Sequence, residues 1–298
     1  MQIPMNRIGL IANPEKPFWR EALDEAELWI RSHGREVMHL KGMSSKETFR
    51  EMGKDLIREM ASQCDLLVVF GGDGTMLHVA RSLAGCPTPI LGINTGGLGF
   101  LTAAPYTSFQ TTLEAIWKGQ VVRDVRPSLY ATLSGEGKPS KSLTAINDIV
   151  ISRGTASRMI ELEVKVDGEL LTQYRCDGFI ICTPTGSTAY SLSAGGAIVC
   201  PNAQVFTLTP ICPHTLSNRS VIVSMASIIE VTILSKEVDT VLTADGQIQV
   251  EGAPNDRIRI HAEQDQVTFL NTPNNPFFSI LRQKMQWSGS NLHHSNSW

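Results

Sequence analysis

The 298-residue chain lacks the marks of several protein classes. No window supplies the about 18 uncharged apolar residues of a membrane-spanning helix, so no membrane partner is expected. Its opening, MQIPMNRIGLIANP, has an apolar run too short for a secretory signal core, and a cytoplasmic protein is therefore expected. The six cysteines, at 64, 86, 176, 182, 200 and 212, form no C-x-x-C pair; Cys64, Cys86 and Cys182 adjoin or sit inside apolar runs, and all six are read as reduced packing residues. A basic excess is also missing. With a net charge of −3 and no cluster of Lys and Arg, the chain has little with which to neutralise a phosphate polymer, which argues against nucleic acid as a partner. No repeat of solenoid length occurs. Without a secretory signal the sequon Asn218-Arg219-Ser220 is a chance match, and the His293-His294 pair reads as solvated tail within a polar, fraying end at 287–298.

What is present is an ordinary globular balance, 42% apolar and 18% charged residues, over a length that suits two domains. The first third alternates β-rich runs at 8–12 and 36–40 with amphipathic stretches at 18–32 and 46–62. Leu66, Leu67, Val68, Val69 and Phe70 then form an unbroken apolar run, repeated at 89–94, as in strands covered on both faces. This predicts a parallel sheet with helices on both sides and a ligand beyond the carboxyl ends of its strands. After about residue 121 short runs at 130–133, 149–152, 161–166, 178–182 and 228–234 predict a mainly β second part, with Asp167-Gly168 as a hairpin turn. The expected division is an α/β domain at 1–122, a β-rich domain at 123–276, and a segment at 277–298 that partly returns to the first domain.

Three motifs carry chemistry. Phe70-Gly71-Gly72-Asp73-Gly74-Thr75 runs a buried strand into three glycines around one carboxylate, just before a helix. Glycines let backbone N–H groups approach a polyphosphate, and a helix N-terminus favours anions. An Asp among phosphates is useful as a proton acceptor or as a metal anchor, and Asp73 is therefore the candidate catalytic residue. The competing reading is a helix-capping Asp with glycines that serve only the turn. A second turn, Gly92-Ile93-Asn94-Thr95-Gly96-Gly97-Leu98-Gly99-Phe100, closes the next strand; its bland reading is a turn that needs positive φ. The third motif spans 177–196 and holds six Ser and Thr residues plus Tyr190, suited to line a ribose and flank a flat ring. Asn147-Asp148, at the mouth of a β strand, places a carboxamide beside a carboxylate that can accept ribose hydroxyls, although alone it is more often a turn. Neither G-x-G-x-x-G nor G-x-x-x-x-G-K-[ST] occurs, so the commonest dinucleotide and triphosphate signatures are both missing.

In their order along the chain, GGDGT at 71–75, NTGGLGFLT at 94–102, ND at 147–148, DGFIICTPTGSTAYSLSAGG at 177–196 and PHTLSNR at 213–219 resemble the NAD kinase family. The first motif also occurs in diacylglycerol-type lipid kinases and phosphofructokinases; the long third motif is the specific one. The resemblance implies a two-domain fold with NAD in the cleft between the domains. It implies phosphorylation of the adenosine ribose 2′-hydroxyl by ATP, or by another nucleoside triphosphate or polyphosphate, with Mg²⁺ as the divalent ion and Asp73 as general base. It further implies NAD or nucleotide contacts from Gly74, Asn147, Asp148, Arg158, Arg175, Asp177, Thr188, Ala189, Tyr190, Ser191, Leu192, Ser193 and Gln247. No direct side-chain ligand for the metal is assigned, and a homodimer or homotetramer is implied. Two departures stand out: Asp148 replaces a usual Glu, and Ser220 stands where Pro is usual. A lipid or sugar kinase, a non-catalytic dinucleotide sensor and an NADP-dependent dehydrogenase are the competing readings.

Overall fold

The computed structural model describes residues 5–15, 18–39, 54–97, 99–155, 158–215, 217–236, 238–273 and 276–287. Its first part runs β1 (Arg7–Ala12), α1 (Trp19–Ser32), β2 (Glu36–His39), α2 (Lys54–Ser62), β3 (Leu66–Gly71), α3 (Asp73–Ser82) and β4 (Ile90–Asn94). β2, β1, β3 and β4 lie side by side in that order, all parallel. After a short β5 (Ala104–Pro105) comes α4 (Phe109–Trp117).

β3 shows why the sheet is doubly covered. Leu66, Val68 and Phe70 pack into a core shared with α1 and α4, while Leu67 and Val69 pack into a second core shared with α2 and α3. All five are fully buried, and a strand apolar on both faces is satisfied only when both are covered. Of the helix expected at 46–62, residues 54–62 are helical and 46–53 lie outside the described residues, as do Leu40 and most of the tail at 287–298.

The rest is β6 (Val122–Ser134), β7 (Lys141–Ala145), β8 (Asp148–Arg153), β9 (Ile160–Val166), β10 (Glu169–Cys176), β11 (Gly178–Cys182), α5 (Tyr190–Ser193), β12 (Val205–Ile211), β13 (Val221–Ser224), β14 (Ile229–Ile233), β15 (Thr240–Ala244), β16 (Ile248–Gly252), β17 (Arg257–Asn271) and α6 (Phe277–Met285). One antiparallel sheet, β13-β12-β11-β8-β15-β16, shares a single apolar core with β9, β14, β17 and β6 of the other. Alternation along β14, where Ile229, Val231 and Ile233 are buried and Glu230 and Thr232 are not, is what a one-sided core demands. The hairpin at Asp167-Gly168 is as expected, with φ of 52° and 83°.

Two features were not anticipated. β17 runs out of the β-rich core, shifts register between Glu263 and Gln266, and pairs Phe269 in parallel with Ile90 of β4. The two parts thus have separate cores but share one eleven-stranded sheet. The cysteine reading is also corrected: Cys64, Cys176 and Cys182 are buried, but Cys200 and Cys212 are exposed and pack into no core. Neither adjoins the long apolar runs on which that reading rested.

Candidate active site

The site starts where β3 gives way to α3. A Cβ on Gly71 would lie 2.6 Å from the Thr75 side chain, so glycine is needed for the helix to start this close to the strand. Gly72 is different: a Cβ there would meet nothing within 4 Å. Asp73 is the first residue of α3, an electrostatically favourable place for an anion. It does not cap its own helix, since the capping position is Gly72, with no side-chain hydrogen bond. Instead its carboxylate reaches to the second glycine turn, where Oδ2 accepts the Phe100 N–H at 3.0 Å and Oδ1 the Leu101 N–H at 3.0 Å. A Cβ on Gly99 would sit 2.2 Å from Asp73 Oδ1, so the close approach of the turns depends on that glycine.

The second turn is organised from within by Asn94, whose Oδ1 accepts the Gly96 N–H at 2.7 Å while its Nδ2 donates to the Gly97 carbonyl. None of Gly72, Gly74, Gly96 and Gly97 has a positive φ. At Gly96 and Gly97, then, the second turn is not one that needs positive φ. Gly72 and Gly97 also have open space where a side chain would stand. Bare backbone facing open space is what close approach of a polyphosphate requires.

The β-rich part meets this corner through the turn between β15 and β16. Asp245 and Gly246 take φ of 52° and 63°, turning the chain so that Gln247 Nε2 donates to the Gly74 carbonyl at 2.9 Å. Arg81, about two turns further along α3, donates from Nη1 to Asp245 Oδ2 at 3.0 Å and from Nη2 to Gln247 Oε1 at 2.9 Å. The Asp245 carboxylate is fully buried, and its Oδ1 also accepts the N–H groups of Ile146, Asn147 and Asp148 at 3.0, 2.7 and 3.3 Å. Burial pushes its pKa up; Arg81 and the backbone donors pull the other way.

This chain of bonds brings Gly74, next to Asp73, together with Asn147, Asp148 and Gln247. The Asn147 Oδ1 is buried without a hydrogen-bond partner, a costly state that a ligand donor would relieve. Asp148 is 4% exposed, and burial followed by the neighbouring Asp245 pushes its carboxyl up to about 7.

The hydroxyl-rich segment is spent differently from expectation. Thr183 donates to the Ile146 carbonyl at 2.7 Å, Ser187 to the Pro184 carbonyl at 2.6 Å and Thr188 to the Thr185 carbonyl at 3.2 Å, while Ser191 pairs with Thr209 at 3.1 Å. Thr185 accepts from buried Arg126, itself held by Asp124 through two bonds of 2.6 Å. Most of these hydroxyls therefore build the loop rather than face a ligand. Ala189 and Leu192 are half-buried, and Tyr190 and Ser193 are exposed. Asp177 pairs with Arg153 at 2.9 Å; Arg175 is largely exposed and stands 3.9 Å from Glu161; Arg158 is exposed.

Sequence reasoning passed over Arg81, Asp245, Arg126 and Asp124. Asp245 carried a usable signal, since Asp245-Gly246 after the apolar run at 240–244 repeats the pattern of Asp167-Gly168. The arginines carried none. Among the described residues no three His, Cys, Asp or Glu side chains gather as a metal cage, and no helix is long and apolar enough to cross a membrane.

A two-part fold with two glycine turns locked through one carboxylate, at the carboxyl ends of a parallel sheet, defines a nucleotide-handling cleft. Family comparison makes the class particular. The ATP-NAD kinase N-terminal domain matches residues 8–121 and the ATP-NAD kinase C-terminal domain residues 146–272. The NAD kinase of Syntrophotalea carbinolica is 38% identical over 283 residues, covering 95% of this chain and 99% of its own, and that of Geotalea daltonii is 39% identical over 287, covering 95% and 99%. Among solved structures, yeast NADH kinase complexed with NADH superposes with a TM-score of 0.85 at 28% identity, covering 97% of this chain and 90% of its own. An NAD kinase from Archaeoglobus fulgidus in complex with ATP gives 0.73 at 30% identity, covering 95% and 100%. The chain belongs to the NAD kinase family.

Proposed function

We propose that this enzyme transfers the γ-phosphoryl group of ATP to the 2′-hydroxyl of the adenosine ribose of NAD, with Asp73 as the general base. The observation that carries this reading is the Asp73 carboxylate itself. It is held by the Phe100 and Leu101 amides in one orientation, beside glycines that leave backbone open to phosphate. As the hydroxyl oxygen bonds to the γ-phosphorus, the bond from that phosphorus to the β,γ-bridging oxygen breaks and ADP departs. The hydroxyl proton passes to Asp73. Little covalent work falls to the protein in such a transfer, and most of the catalysis is positioning.

Asn147 and Asp148 would receive the nucleoside, the carboxamide through its unpartnered oxygen and the carboxylate through ribose hydroxyls; the unpartnered, buried Asn147 Oδ1 supports this. Gly74 and Gln247 complete the wall next to the base. Thr188, Ala189, Tyr190, Ser191, Leu192 and Ser193 would line the dinucleotide mostly by shape, with the exposed Tyr190 ring available to stack. Asp177, Arg175 and Arg158 would contact the dinucleotide from more exposed positions. A divalent ion, Mg²⁺ in this reading, would neutralise charge on the triphosphate, and no side chain of this chain is assigned to it. The relatives' structures with NADH and with ATP support both substrate classes. Self-association through the β-rich part is the assembly we favour, where Ile222 lies exposed on the edge strand β13.

The test is to incubate the protein with NAD, ATP and Mg²⁺ and to assay for NADP, with diacylglycerol in place of NAD as the lipid-kinase control. Failure to form NADP would sink the reading.

A further inference from the structure

The proposed chemistry requires groups from two cores to meet at a fixed distance. Asp73 and Gly74 belong to the α/β part; Asn147, Asp148 and Gln247 belong to the β-rich part. The shared strand β17 joins the parts near Ile90, at the start of β4 and away from the glycine turn at its other end. Something closer to the site has to set its width.

We infer that Arg81 is the positioning residue that sets the dinucleotide-binding turn at 146–148 against Asp73, by holding Asp245 and Gln247 with one guanidinium. The inference rests on the function proposed above. Arg81 is on α3, the helix that Asp73 begins, so its position is rigidly tied to the base through that helix. Its two terminal nitrogens bond separately, Nη1 to Asp245 at 3.0 Å and Nη2 to Gln247 at 2.9 Å, and its side chain is 9% exposed. Each of those partners then acts on the site. Asp245 gathers the N–H groups of Ile146, Asn147 and Asp148, and so fixes the backbone that aims the Asn147 carboxamide and the Asp148 carboxylate. Gln247 returns to the Gly74 carbonyl and closes the loop of bonds on the first turn of α3.

A lysine at 81 would keep the charge but could not present two donors in a fixed fork, so the geometry calls for arginine specifically. A plain counter-ion for Asp245 would need only the charge. That difference makes the role testable.

The experiment uses the full-length enzyme and four forms: wild type, Arg81→Lys, Arg81→Met, and Arg81→Met combined with Asp245→Asn, which removes both charges of the pair together. Melting curves give the folded fraction, and kcat and KM for NAD and for ATP are taken per folded molecule, well below the lowest melting midpoint. A positioning role predicts that kcat/KM for NAD falls by about tenfold to a hundredfold in all three variants while KM for ATP stays within a few fold. It predicts the same deficit in the double variant even where charge removal restores the melting temperature. Wild-type kcat/KM for NAD in the lysine or double form overturns the inference and leaves Arg81 as a counter-ion. A uniform loss in kcat and in both KM values also overturns it, in favour of general destabilisation. If the wild type itself makes no NADP, the functional reading fails instead, and the two failures are not confused.

Discussion

The two carboxylates nearest the proposed chemistry live in opposite environments. Asp73 sits at the start of a helix, half-exposed, with both oxygens taking backbone N–H donors from a neighbouring turn. Asp148 is buried near a second carboxylate, and its carboxyl is driven up to about 7. The lesson is a division of labour. On the proposed mechanism, the group that would take a proton from a hydroxyl is held in one orientation and left near solvent. The group that would grip neutral hydroxyls is buried, where a hydrogen bond counts for more.

The sharpest way to break this contrast is Asp73→Asn. Loss of a general base costs about a hundredfold to ten-thousandfold in NADP formation. NAD binding by calorimetry should fall far less than turnover, because Asn keeps one of the two acceptors that hold the Phe100 and Leu101 N–H groups. Comparable turnover in the mutant would remove Asp73 from the mechanism.

Next comes the pair of glycines on either side of that carboxylate. Gly99→Ala drives a Cβ to 2.2 Å from Asp73 Oδ1 and has to separate the two turns, so both the melting temperature and activity should drop. Gly72→Ala meets only open space at a permitted φ of −105°, so melting should be unchanged while KM for ATP rises. If the two variants behave alike in both measurements, the distinction between packing glycines and ligand-facing glycines is wrong.

A smaller effect follows from Asp148. Its folded-state pKa stands above the ordinary 3.8, so between about pH 4 and about pH 7 the folded protein binds more protons than the unfolded chain. Stability without ligand should therefore decline as pH rises through that window and level off above it. In Asp148→Asn the slope should be shallower, and the mutant's melting temperature relative to wild type should climb from pH 5 to pH 8. A pH-independent difference between the two would show that Asp148 titrates normally. The smallest effect is expected at Arg175. It is 63% exposed and only loosely paired with Glu161, so Arg175→Gly should leave melting unchanged and alter, at most, the ratio of activity on NAD and NADH.

The glycines, the lone Asp73, the doubly buried strand at 66–70 and the hairpin at Asp167-Gly168 were all legible from residue order, because each is a local event. The role of the hydroxyl-rich segment was not. Thr183 and Ser191 look like ligand donors in the sequence, but their hydroxyls bond to Ile146, in the turn before β8, and to Thr209 of β12, both distant in the chain. The resemblance to a family supplied Gln247, which no local pattern marks, and even that left its bond to Gly74 unseen.

By itself, then, the sequence determined the elements and the chemical character of the turns, since periodicity, glycine and backbone preference act over a few residues. Only the tertiary structure decided which turns meet. Arg81 and Asp245 are 164 positions apart, and they meet only because α3 of the first part faces the β15–β16 turn of the second. Long-range contacts of this kind depend on the packing of whole layers, which no short stretch of residues encodes.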